Sequence, residues 1–152
     1  MKPATATLKS AVFHAYGPPI TLSVAKRISQ EAEHYAQQNG WAVAIVIVDC
    51  SGHIVQACRL DQTQYGSYEV AVSKALTASQ FRRATWQFEE AVNHGRLRLL
   101  SMSNLLPMQG GYPITVNECV IGAIGISGAS AEQDSEIAEA ALNILKANDP
   151  ST

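Results

Sequence analysis

An α+β domain, with helices packed on a mostly antiparallel sheet made of two hairpins, is the fold this sequence predicts. The first observation is WAVAIVIVDC (41–50), an almost uninterrupted apolar run that Ser51-Gly52 turns back into His53–Leu60. The second is GGYPITVNECVIGAIGISG (110–128), where Ile114–Val116 and Cys119–Ser127 flank Asn117-Glu118 as a tight hairpin. The third is helical periodicity on either side of these runs. The order is helix, hairpin, two or three helices, hairpin, helix, which lacks the regular alternation of a doubly wound dinucleotide fold.

Each element has its own justification. Residues 1–20 form an arm ending in Gly17-Pro18-Pro19. Residues 21–147 form a single domain, and 148–152 a tail. Thr21 is placed to cap a helix reaching Asn39, whose buried stripe is Ala25, Ile28, Ala32, Tyr35 and Ala36. Lys26, Arg27, Gln30, Glu31, Glu33 and His34 fall mainly on its other side, and Asn39-Gly40 stops it. Trp41 opens the first strand. Asp61–Gly66 is a polar loop, and Ser67 begins a helix to Phe81. Val70, Ala71, Lys74, Ala75, Ala78 and Phe81 share a face of that helix, which sets a cation among small apolar neighbours. Thr85 reads as the next cap, Phe88, Ala91 and Val92 as the stripe that follows, and Gly95 as the stop. Arg96–Met102 is a short helix or turn and Ser103–Pro113 a loop. Ala131–Ala147 is the last helix, with Ile137, Ala140, Ala141, Ile144 and Leu145 inward.

Composition excludes several classes. The chain has 152 residues, enough for a real core, and is 47% hydrophobic and 16% charged. A net charge of −2 and an isoelectric point near 6.0 give no electrostatic case for nucleic acid or an anionic membrane. The run 41–48 is too short to span a bilayer, and the N-terminus lacks the apolar stretch of a secretory signal. Cys50, Cys58 and Cys119 form no CxxC pair and read as buried, reduced thiols of a cytoplasmic protein. No two histidines have chelating spacing, so no dedicated metal site is expected.

The glycine-rich second hairpin poses the functional question. Gly122, Ala123, Gly125, Ser127 and Gly128 give up bulk and conformational entropy, so either another backbone element or a flat ligand approaches closely. Gly110-Gly111 can present amides to an anion.

GWAVAIVIVDCSGHIVQACRLD, KALTASQF, VNHGR, GGYPITV and VIGAIGISGASAEQD together resemble the GlcG/HbpS-like family, across about Thr21–Lys146. That family includes the C-terminal domains of PduO-type corrinoid adenosyltransferases, whose catalytic domain this chain lacks. The resemblance implies a mostly antiparallel sheet flanked by helices and assembly into homo-oligomers. It also implies haem as a cofactor, and a role in haem handling or in a corrinoid or catabolic pathway. Haem needs an axial donor. Some corrinoid-pathway relatives use a histidine near the domain's start, which points to His14 within FHAY; His94, where the family has a small residue, is the second candidate. The redox-sensor branch carries an ExxE motif elsewhere in its chain, so Glu136 and Glu139 read as a solvated helical turn. Lys74 and Arg96 match family positions. Either holds a propionate, phosphate or small carboxylate, or pairs internally with Asp49, Asp61 or Asp134. The expected ligand pocket is Lys74, Arg96, Gly110, Gly111, Tyr112, Gly122, Gly125 and Ser127. Two alternatives to a haem or tetrapyrrole binder stay open: a small enzyme acting on a carboxylated catabolite, and a non-catalytic assembly protein.

Overall fold

A computed structural model describes residues 14–147 of the chain. The elements in order are β1 (Ala15–Tyr16), α1 (Leu22–Gln38), β2 (Ala44–Asp49), β3 (Ile54–Arg59), α2 (Gly66–Phe81), α3 (Trp86–Asn93), a 3₁₀ turn (Leu97–Ser101), β4 (Gly111–Val116), β5 (Cys119–Ser127) and α4 (Ala131–Ala147). The expected α+β class holds. β5 is the hub: it pairs antiparallel with β2 on one side and with β4 on the other. β3 lies antiparallel against β2. The sheet is nonetheless mixed, because β1 joins the start of β5 in parallel, with Ala15 opposite Cys119. That strand comes from the arm, whose composition carries no strand pattern. Of the arm's apolar residues, Val12 and Phe13 lie outside the described residues, as does the tail 148–152.

The two faces of the sheet differ in side-chain size, and this sets the layers. Ile45, Ile47, Ile114, Ile124 and Ile126 point to one side with Val43, where they pack against Ile28, Ala32, Ile137 and Ala141 of α1 and α4. Burying one such isoleucine contributes about 1.5–3 kcal/mol. Ala44, Val46, Val48 and Ala123 point to the other side and meet Ala71, Ala75 and Ala78 of α2. Small residues on both partners draw α2 close. A Cβ built on Gly125 would lie 2.0 Å from the Ala71 carbonyl oxygen. Gly111 is as crowded, with the Lys74 carbonyl 2.4 Å from its missing Cβ. α2 thus rests its backbone on a notch in β4 and β5 that only glycine provides.

Local rules account for most boundaries. Thr21 caps α1, its Oγ1 accepting from the Val24 amide at 3.3 Å. Asn117 and Glu118 both have positive φ, 50° and 61°, as a two-residue hairpin turn of the favoured twist requires. Two boundaries and the chemistry of one cap differ from expectation. The β2 ladder begins at Ala44, because the Trp41 amide is bonded to Ala36 of α1 and its ring packs on Tyr35. β4 begins at Gly111 and contains Pro113, which is tolerated because β4 pairs only with β5 and needs no second ladder. Thr85 stands at the N-cap position of α3 as expected, but its side chain makes no capping bond. Its Oγ1 instead accepts from the Gly111 amide at 2.9 Å, tying α3 to the sheet. No helix among the described residues is long and apolar enough to cross a membrane.

Candidate functional site

Lys74 is the largest fully buried side chain of the described residues, 1% exposed. It projects from the middle of α2 toward the ends of β5 and α4. Its Nζ donates to Asp134 Oδ2 and to the Ile126 carbonyl, each at 2.9 Å. Of the three carboxylates named as partners, Asp134 is therefore the one it meets. Asp134 Oδ1 also accepts from the Ala129 amide at 3.1 Å, locking the turn that opens α4. Burial pushes the Asp134 carboxyl up, ahead of the opposite pull of Lys74 and the backbone donors. Gly110 is part of this arrangement. A Cβ there would sit 2.8 Å from Lys74 Nζ, and φ of 122° belongs to the region that favours glycine.

Arg96, Tyr112, Gly122 and Gly125 do not gather around this pair. Arg96 is exposed where the 3₁₀ turn begins. The Gly111 amide is taken by Thr85 and the Gly110 carbonyl by the Ile126 amide. The space beside Gly122 is filled by the Val48 carbonyl, 2.3 Å from the missing Cβ, and that beside Gly125 by α2. Close backbone approach, the first of the two readings of these glycines, occupies the room a flat ligand would need. Ser127 is buried on the wall of a small cavity beside Lys74.

His94 closes α3, with its ring Nδ1 2.8 Å from the Glu90 carbonyl. It lines a cleft of about 670 Å³ between α3 and α4, together with Tyr112 and five glutamates: Glu89, Glu90, Glu132, Glu136 and Glu139. The Tyr112 hydroxyl donates to Glu139 Oε1 at 2.6 Å. Burial first, then that hydrogen bond, pushes the Tyr112 phenol up to about 12. Neutral Tyr112 is thus favoured by the fold. Its stabilisation is complete below the ordinary phenol value of 10.0 and is lost as pH rises through about 12. In an alkaline titration followed by phenolate absorbance, the latest step is expected to disappear in Tyr112→Phe. An unchanged curve would show that Tyr112 titrates with the other tyrosines.

His14 lies at the head of β1, half-buried, beside the last turn of α2. Its carbonyl accepts from Arg82 Nη1 at 3.1 Å, and the same guanidinium lies 5.0 Å over the Tyr16 ring. The Tyr16 hydroxyl donates to the Ser79 carbonyl at 2.7 Å. A histidine, an aromatic ring that is 45% exposed and an arginine therefore share one corner of the fold. Sequence reasoning missed Arg82. The only signal for it was a basic pair, Arg82-Arg83, directly after a predicted helix. His34 and His53 are exposed, and His53 Nδ1 lies 3.6 Å from Asp49. Among the described residues no three histidine, cysteine, aspartate or glutamate side chains are placed to hold a metal ion.

A model of the family described as "Haem degrading protein HbpS-like" matches residues 20–143. The chain belongs to this HbpS-like family. It is 34% identical to protein GlcG of Escherichia coli K12 over 108 residues, covering 71% of this chain and 81% of GlcG. Among solved structures, protein ORFY of Klebsiella pneumoniae superposes with a TM-score of 0.81 at 30% identity, covering 93% of this chain and 97% of ORFY. A structure described as the PduOC:haem complex superposes with a TM-score of 0.75 at 29% identity, covering 82% of this chain and 94% of that one. The HbpS-like match spans α1 through most of α4, so the Lys74–Asp134 pair lies inside the shared domain, while His14 lies just ahead of it.

Proposed function

We propose that this protein is a cytosolic haem- or tetrapyrrole-binding protein, acting as a homo-oligomer in haem handling or in a corrinoid or catabolic pathway, with His14 as the axial donor. The observation that carries this reading is the likeness to a chain whose structure is a haem complex, at 29% identity over 94% of that chain.

Charge favours one of the two candidate corners for the group. Haem brings two propionates as well as an iron. At the His94 cleft those anions would meet five glutamates. At the His14 corner they would meet Arg82. His14 would supply a neutral imidazole nitrogen, and Tyr16 a face against which the macrocycle can lie. Bound haem would contribute an iron whose redox and ligand-exchange chemistry follows the axial donor. Tyr16 is exposed, so a second subunit would supply the opposite wall. Further exposed apolar residues on the 3₁₀ turn, Leu97 at 63% and Leu100 at 60%, support association between copies. Cys50, Cys58 and Cys119, half-buried rather than buried as expected, are free thiols and support a reducing compartment.

A haemin titration followed by absorbance tests the reading, with wild type beside His14→Ala and His94→Ala. The expected result is a saturable, stoichiometric Soret shift that is lost in His14→Ala and kept in His94→Ala. Featureless uptake beyond stoichiometry, equal in all three proteins, would overturn haem binding. Loss in His94→Ala alone would move the site to the acidic cleft.

A further inference from the structure

We infer that the HbpS-like domain of this protein carries a second ligand site, distinct from the proposed haem corner, that takes a small aliphatic carboxylate beside Lys74. A cavity of about 400 Å³ opens between the first turn of α2 and the β5–α4 turn, and Ser67, Val70, Lys74, Met108, Ser127 and Asp134 are among its walls. That volume suits a small molecule.

The polar walls have hydrogen bonds to spare. Ser67 is 2% exposed, yet its Oγ has no partner. Lys74 has three N–H donors and two protein acceptors, Ile126 O and Asp134 Oδ2. A buried hydroxyl and a buried ammonium with unmet donors are costly unless something fills the gap. The start of α2 adds to them: no side chain caps it, although the Ser67 amide already donates to the Gln64 carbonyl at 3.2 Å. The start of α4 differs: the Ser130 hydroxyl accepts from the Gln133 amide, and the Gln133 side chain accepts from the Ser130 amide.

Charge and shape narrow the class. Lys74 and Asp134 cancel formally, which leaves the partial positive charge of the α2 terminus, roughly half a unit, set against the solvent-exposed carboxylate of Glu69 in the same turn. A monoanion balances that field, whereas a phosphate dianion would face the Asp134 carboxylate. Val70 and Met108 offer apolar surface to a short tail. The site is separate from the proposed haem corner. Ser67 and Arg82 stand at opposite ends of α2, about 22 Å apart along a helix axis.

The test is an amide NMR titration of the haem-free protein with sodium propanoate, beside propan-1-ol and inorganic phosphate. Propanoate is expected to give saturable shifts confined to residues 66–70 and 127–131. Ser67→Ala is expected to weaken binding about 10- to 150-fold, the value of one hydrogen bond to a charged group. The double variant Lys74→Met with Asp134→Leu, which leaves no buried charge behind, is expected to abolish it. The proposal is overturned if propanoate moves no amides there, if propan-1-ol shifts them equally, if phosphate binds more tightly, or if Ser67→Ala binds as wild type does. A failed haemin titration would leave this result untouched.

Discussion

Gly125→Ala is expected to cost about 3 kcal/mol or more, and Gly125→Val to leave no folded protein at growth temperature. The new Cβ would lie 2.0 Å from the Ala71 carbonyl and 2.7 Å from the Ala75 amide, both of them backbone atoms in the middle of α2. A flexible side chain could rotate away, but a helix backbone cannot. α2 would have to lift off the sheet and loosen the contacts of Ala71, Ala75 and Ala78 with Val46, Val48 and Ala123. Overpacking of this kind costs about 1–3 kcal/mol where side chains yield, and more where they cannot. Against a total stability of about 5–15 kcal/mol, a valine there exceeds what the fold can absorb. Gly66→Ala is the control. A methyl group there would find nothing within 4 Å, so the unfolding midpoint of this variant in urea is expected to stay near wild type. A wild-type midpoint for Gly125→Ala would show that glycine does not set the spacing between α2 and β5.

The second large effect concerns Asp134. Replacing it with alanine strands a Lys74 ammonium that is 1% exposed, with the Ile126 carbonyl as its one remaining acceptor. Breaking a buried pair in this way costs about 3–5 kcal/mol. The double variant Lys74→Met with Asp134→Leu is expected to recover most of that loss, because it removes both desolvated charges together. Burial pushes the Asp134 carboxyl up despite the nearby ammonium, which means the ionised form is less at home here than in water. Relative to water, folding therefore favours the protonated carboxyl, and the pair with Lys74 is the ionised state above the raised value. The contribution of the protonated form is fully present below the ordinary value of 3.8 and is lost as pH rises through the raised one. Asp134→Asn is expected to flatten that part of the stability profile. A double variant as unstable as the sum of its two singles would show that the pair is not the source of the coupling.

Much of the fold was legible because short-range rules decide it. The hydroxyl of Thr21, the Asn39-Gly40 stop, the Asn117-Glu118 turn and the unbroken run before Asp49 act over a few residues. The alanine stripe of α2 and the glycines of β5 could also be read as small surfaces awaiting a close neighbour. That each was the other's neighbour could not, since Ala71 and Gly125 are far apart in sequence and only β5's central place in the sheet brings them together. The candidate site was less legible. Lys74 stood out as a cation on an apolar face, but three carboxylates were open to it, and the turn between β5 and α4 selects Asp134. Arg82 acquires its meaning from β1, a two-residue strand from the arm that lays His14 and Tyr16 against the end of α2.

The sequence by itself determined the order of the helices and the two hairpins, the Thr21 cap and the presence of a buried cation, because periodicity and turn chemistry are local, whereas β1 carried no such pattern. Only the tertiary structure decided which backbone fills each glycine notch, which carboxylate meets Lys74 and which histidine stands beside an arginine. Those outcomes depend on contacts between segments distant in the chain, where many pairings satisfy the same local pattern and only packing of the whole sheet picks one.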